Sequence, residues 1–127
     1  SFKDNLFYSA GNDTSMYDTS GATVTGANNL YFAAGGNFGG APFGGDITNK
    51  NPSFISVGTS TSQCVGCNFN IQSTSAAKDA GVSTSPTVVS DLLGTARPQG
   101  SAYDIGAYEY AGTAKPGTPL SLGGVAH

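Results

Sequence analysis

Tryptophan is absent from this chain, and histidine, methionine, arginine and glutamate each occur once among its 127 residues. Charged residues make up 10%, against roughly 25% in ordinary soluble domains, so hydroxyls and amides must carry the solubility. Five basic residues, Lys3, Lys50, Lys78, Arg97 and Lys115, stand scattered in a chain of net charge −3. Such a set cannot neutralise a run of phosphates, which excludes nucleic acid as a partner. No stretch approaches the ~20 apolar residues that a membrane-spanning helix needs, so membrane insertion is not expected. Long runs of Ala, Leu, Glu and Lys are missing too, and the abundance of Gly, Asn, Ser and Thr predicts strands and turns with almost no helix.

What the chain does have is a repeat. "DNLFYSAG" at 4–11 and "NNLYFAAG" at 28–35 align at an offset of 24, inside the ~20–50 residue range of stacked repeat architectures. A third, degenerate copy is expected at "SFISVGT", 53–59, with Phe54 in the place of Leu6 and Leu30. Glycine-rich stretches such as "GGNFGGAPFGGD" separate the copies as turns and loops. One strand per repeat buries its apolar side only by stacking on the next copy, so the pattern favours parallel coils over a hairpin sandwich. Residues 1–110 form the folded unit in this reading, and 111–127, rich in Gly and Pro, a linker or tail. The opening "SFKDNLFYSAG" lacks an initiator Met and reads as internal to a longer polypeptide.

Three stretches carry a family resemblance: "NPSFISV", "FNIQSTSAAKDAG" and "DLLGTARPQGSAYDIGAYEY". Together they resemble the C-terminal end of bacterial secreted right-handed parallel β-helix proteins of the pectate-lyase-like group, of the kind that precede a surface-anchor region. The last stretch is the most specific, since Arg-Pro, Asp-hydrophobic-Gly-Ala and Tyr-Glu-Tyr occur in order. The pattern departs from the family at Asn51, Ala76, Lys78 and Ala96, which bears on local turns. The resemblance implies an all-β fold, a right-handed parallel β-helix end with a C-terminal cap, and an extracellular or cell-surface, carbohydrate-associated protein.

The only arginine and only glutamate fall in the last of these stretches. The five donors of a guanidinium form a rigid fork that a carboxylate can meet, so Arg97 is expected to pair with Glu109 or Asp104 in a buried cap closed by Tyr103, Tyr108 and Tyr110. The same trio could instead be catalytic or sugar-binding, because the family resembled uses basic residues as proton acceptors and carboxylates for calcium. We adopt the structural reading and assign no catalytic residue.

Cys64 and Cys67 in "CVGC" have the spacing of half a zinc site or of a redox motif, but no second cysteine pair exists and His127 ends the chain. Given the extracellular setting that the resemblance implies, a short disulfide between them is expected, with free thiols as the alternative. No cofactor or metal is assigned. Calcium is the one candidate, through Asp13, Asp18 and Asp46 in polar loops, although solvated turn aspartates explain them as well. "NDT" at 12–14 is a formal glycosylation sequon. Among the aromatics, Phe38 and Phe43 sit between flexible glycines, and with Tyr103 and Tyr108 they are the candidate ligand or partner contacts.

Function then falls between two classes. A glycan-binding module, or the non-catalytic end of a polysaccharide-active protein, needs polysaccharide as partner. An adhesive or structural unit would associate end to end with neighbouring copies of the chain into a fibre.

Overall fold

The computed structural model describes residues 1–12, 21, 23–39, 43–59 and 64–112. Asp13, Asp18, Lys115, His127, most of the sequon and most of the 111–127 tail lie outside them. The described residues are all-β and contain no helix. Seven short strands follow in order: β1 (Phe2–Lys3), β2 (Leu6–Ser9), β3 (Gly26–Ala27), β4 (Leu30–Ala33), β5 (Ile47–Thr48), β6 (Phe54–Val57) and β7 (Cys67–Ile71).

The two clear repeats pair in parallel, as their spacing predicts. Phe2 faces Gly26 in the β1–β3 pair, and Leu6, Phe7, Tyr8 and Ser9 face Leu30, Tyr31, Phe32 and Ala33 in β2–β4. Between the two strands of each repeat the backbone turns through one left-handed residue, Asp4 (φ 55°) or Asn28 (φ 54°). Asp and Asn are the non-glycine residues that tolerate this region best. A one-residue corner therefore lets a single repeat contribute to two sheets.

The third rung is not where the offset of 24 places it. Ile47, not Phe54, pairs with Leu30, at an offset of 17, and "SFISVGT" instead forms β6, antiparallel to β7. The reason lies in the corner. Gly45 adopts φ 77° and takes the place of Asp4 and Asn28, and Asp46 follows it as Asn5 and Asn29 follow theirs. "GDI" thus meets the same backbone and hydrogen-bonding requirements as "DNL" and "NNL" with almost none of the same letters. Phe54 joins the core from the side, edge-on to Tyr8 at 5.6 Å. Ser53 is left-handed too (φ 49°), yet it lies outside the column formed by Asp4, Asn28 and Gly45.

A file of amide groups fixes the register. Asn5 donates its backbone N–H (3.0 Å) and its Nδ2 (2.9 Å) to Oδ1 of Asn29. Asn29 repeats the arrangement on Oδ1 of Asp46, at 2.8 and 3.0 Å. Asn29 is fully buried, so each of these groups would otherwise be stranded away from water. Asp46 is therefore the last member of this file, and its second oxygen accepts the Phe43 N–H. Asp46, half-buried just after the turn at 44–45, thus has both carboxylate oxygens engaged within the fold.

On one side of the ladder Leu30, Ile71, Ala77 and Ile105 are buried together, with Leu6, Phe32, Ile47, Phe54 and Tyr110 packed around them. On the other side Phe2, Phe7, Tyr31 and Phe38 stack in sequence, with ring centroids 5.4, 5.0 and 4.8 Å apart. Truncating a fully buried aliphatic side chain removes its transfer free energy and leaves a cavity. Leu30→Ala is expected to cost about 2–5 kcal/mol in denaturant unfolding. Leu92→Ala, at a side chain 71% exposed, should change stability by about 0.5 kcal/mol or less.

Candidate functional site

Beyond Ile71 the described chain contains no further strand, and buried carboxylates organise it instead. Asp104 accepts the Asp79 N–H at Oδ1 and the Tyr110 N–H at Oδ2, both at 2.6 Å. Glu109 accepts the Gln99 N–H (2.9 Å) and the Asp104 N–H (3.2 Å). Asp91 accepts from Leu93 and Thr95 at 2.8 Å and from Glu109 at 2.9 Å. Asp79 takes the Ala102 N–H and the Lys78 ammonium, and a Cβ on Gly100 would run into its carboxylate. Each acid ties together backbone groups that no strand partner reaches.

Arg97 lies inside this cage, its side chain 5% exposed. Nη1 is 3.3 Å from Oε2 of Glu109, whose side chain is fully buried. The shorter contacts are to the main chain: Nη1 donates to the Asp104 carbonyl and Nη2 to the Gly106 carbonyl, each at 2.7 Å. Arg97 thus meets Asp104 through its carbonyl, while the Asp104 carboxylate serves backbone amides. Nε finds no acceptor among the described residues. Tyr103 is buried at 6% exposure, and Tyr110 packs on the core.

The disulfide joins Cys64 to Cys67, with Cα atoms 5.3 Å apart, at the connection between β6 and β7. It staples the connection to the first residue of β7, the strand that carries Phe69 beside the Phe54 strand β6.

Two of the candidate contact aromatics are not available. Phe38 is only 7% exposed, stacked on Tyr31 at an interplanar angle of 16°. The Asn49 side chain holds it there by accepting the Phe38 N–H at 2.6 Å and donating to the Phe38 carbonyl at 3.0 Å. Glycines on both sides suggested freedom, but a distant amide overrides them. Tyr103 is buried in the cage. Phe43 is half-buried beside Phe2, in the space left by the missing side chain of Gly26. Tyr108, also half-buried, does border open space.

That space is a cleft, and a second lies close by. The first, about 640 Å³, runs along Asp4, Leu6 and Tyr8 on one side and Gly106 to Tyr108 on the other, with Phe69 across it. The second, about 590 Å³, lies on the far side of Tyr8 and Phe54. Phe32, Asn51, Ser53, Ser56, Gln72 and Thr74 border it, so ring faces, hydroxyls and amides share one surface. The sequence reading missed both, because each is assembled from strands that neighbour one another only after folding. Among the described residues no three His, Cys, Asp or Glu side chains gather to hold a metal ion.

Comparison with protein-family models, with curated proteins and with solved structures finds no match.

Charge in the cage follows its hydrogen bonds. The Lys78 ammonium, helped by the Ala102 N–H, pulls the Asp79 carboxyl down to about 2. Burial raises the Asp91 carboxyl, but amides of Glu109, Thr95 and Leu93 outweigh it and hold the group below 3.8. Burial pushes Asp4 the other way, above 3.8, against the Val82 N–H and the charges of Arg97 and Lys3. A lowered folded-state pKa gives stability above the unfolded value that is lost as pH falls through the folded one. The melting temperature is therefore expected to drop as pH falls from about 4 towards about 2. Asp79→Asn should flatten that decline, read by calorimetry across the range. Separately, Arg97→Ala leaves the buried Glu109 carboxylate without its cation and should cost about 3–5 kcal/mol in unfolding free energy.

Proposed function

We propose that this chain is a non-catalytic, carbohydrate-associated module of an extracellular or cell-surface protein, built on a right-handed parallel β-helix end. The stacked parallel rungs, the one-residue corners and the resemblance of residues 51–110 to the pectate-lyase-like group support the architecture. The Cys64–Cys67 disulfide is compatible with an oxidising compartment.

The observation that carries the glycan reading is the second cleft. Sugars present apolar ring faces edged by hydroxyls, and a site for them combines aromatic surface with neutral donors and acceptors. Phe32, Phe54 and Tyr8 supply the rings, and Asn51, Ser53, Ser56, Gln72 and Thr74 the polar groups. Asn51, Gln72 and Thr74 are exposed, and the side-chain Oε1 of Gln72 accepts no hydrogen bond among the described residues while its Nε2 donates to the Phe54 carbonyl. Polysaccharide cleavage calls for an acid or base held against the sugar. The acids of the C-terminal cage are occupied by backbone amides, and none borders this cleft.

The alternative, end-to-end association of copies into a fibre, finds support in the outer edges of β2 and β5, with which no strand among the described residues pairs. The two ends are poorly matched for it, because Asp46 brings a carboxylate without a donor to meet the Asn5 end.

The test is to incubate the chain with uronate-containing and neutral polysaccharides, with and without calcium, following binding, unsaturated products and reducing ends together. Saturable binding without turnover is expected, weakened about tenfold by Gln72→Ala, the loss of about 1.4 kcal/mol that one or two hydrogen bonds supply. Turnover abolished by Arg97→Ala or Asp104→Ala would replace this reading with a lyase or hydrolase.

A further inference from the structure

Asn51 and Gln72, both at the border of the second cleft, hang on one corner of the backbone. Ser53 is left-handed there (φ 49°), and both its backbone polar groups are used. Its N–H donates to Oδ1 of Asn51 at 2.8 Å, and its carbonyl accepts the Gln72 N–H at 3.0 Å. The Gln72 side chain is tied again, since its Nε2 donates to the Phe54 carbonyl at 2.9 Å. Each side-chain amide is thereby fixed through one of its ends. What the other end offers differs: Asn51 keeps Nδ2, a donor, and Gln72 keeps Oε1, an acceptor, and neither has a partner among the described residues. A donor and an acceptor held by the same corner match neighbouring hydroxyls, each of which can give and take a hydrogen bond.

Rings complete the surface. Tyr8 and Phe32 stand opposite one another on β2 and β4 with centroids 6.0 Å apart, and Phe54 lies edge-on to Tyr8. All three are half-buried, so part of each remains open to solvent. Charge, by contrast, is missing: no acidic or basic residue borders this cleft. Lys78 is paired with Asp79, and Arg97 is enclosed in the cage. Lys50, exposed beside Asn51, is the cation nearest in sequence. A carboxylate only accepts hydrogen bonds and is best met by a cation, whereas Gln72 Oε1 would face it as acceptor against acceptor. The net charge of −3 adds a field that repels a polyanion.

Resting on the glycan reading, we infer that the second cleft takes an uncharged sugar chain and discriminates against uronates. Ring faces of the sugar lie on Tyr8, Phe32 and Phe54, and its neighbouring hydroxyls donate to Gln72 Oε1 and accept from Asn51 Nδ2. Asn51 and Gln72 are then the residues that set specificity, and calcium has no part in binding.

The test is calorimetric titration of hexasaccharides into the full 127-residue chain: the uncharged cellohexaose, xylohexaose and mannohexaose, and the charged hexagalacturonate. At least one uncharged probe should bind saturably, about tenfold or more tighter than hexagalacturonate. Calcium should not change that affinity, and neither should a rise from low to high salt. Asn51→Asp keeps the oxygen that holds Ser53 and replaces the donor with an acceptor. It should leave the melting temperature unchanged and weaken the uncharged probe about tenfold. Gln72→Lys puts a cation in place of the acceptor and should strengthen hexagalacturonate about tenfold while weakening the uncharged probe. If Asn51→Asp melts lower, the charge switch in Gln72→Lys decides alone. Hexagalacturonate bound as tightly as the uncharged probes overturns the inference and leaves the glycan reading standing. Uncharged probes that bind both variants unchanged place the sugar elsewhere on the protein and overturn it as well. Absence of binding by every probe removes this inference and the glycan reading together.

Discussion

A buried side-chain oxygen that accepts a backbone N–H is the interaction on which this structure depends. The chain has short strands and, after Ile71, none among the described residues, so ladder hydrogen bonds alone cannot satisfy its buried amides. Each buried amide left unpaired costs about 1–3 kcal/mol. Asn29 and Asp46 supply acceptors between the rungs, and Asp79, Asp91, Asp104 and Glu109 supply them in the C-terminal segment. The scarcity of charge in the sequence acquires a meaning here, because most of the described acids are internal connectors with little role at the surface.

This economy shapes what the molecule can do. A carboxylate whose oxygens hold two or three backbone amides is pinned in place and has its lone pairs engaged, which suits it for architecture. Arg97 is committed in the same way, to two carbonyls and one carboxylate. The two clefts described are largely neutral: an aromatic and amide cleft on one side of Tyr8 and Phe54, and on the other a cleft lined by Leu6, Phe54, Ile71 and Ile105. Asp4 is the exception among the acids. One of its oxygens holds Val82 and the other has no partner among the described residues, at the border of the first cleft.

Legibility in the sequence followed the kind of constraint involved. The Leu6–Leu30 register was readable because Asn-Leu-aromatic-aromatic recurs at a fixed offset, and periodic burial leaves periodic letters. Ile47 was not, because Gly45-Asp46 satisfies the corner and the amide file by conformation and hydrogen bonding, properties that glycine and asparagine share without resembling each other. Phe38 looked free between glycines and is buried, since its position is set by Asn49, eleven residues away. In the cage, one arginine and one glutamate in a nearly uncharged segment drew attention to each other. The engagement of the Asp104 carboxylate with Asp79 and Tyr110 amides left no comparable mark, because any backbone can donate to it. The clefts were illegible for a related reason, as their walls come from segments far apart in the chain.

Native-state hydrogen exchange at single-residue resolution tests the central claim most directly. If side-chain acceptors hold the C-terminal segment, the amides of Asp79, Glu109 and Tyr110 should exchange as slowly as those of Leu30 and Ile47, although no strand contains them. Exchange of these three at the rate of exposed loops, with the strand amides still protected, would contradict it.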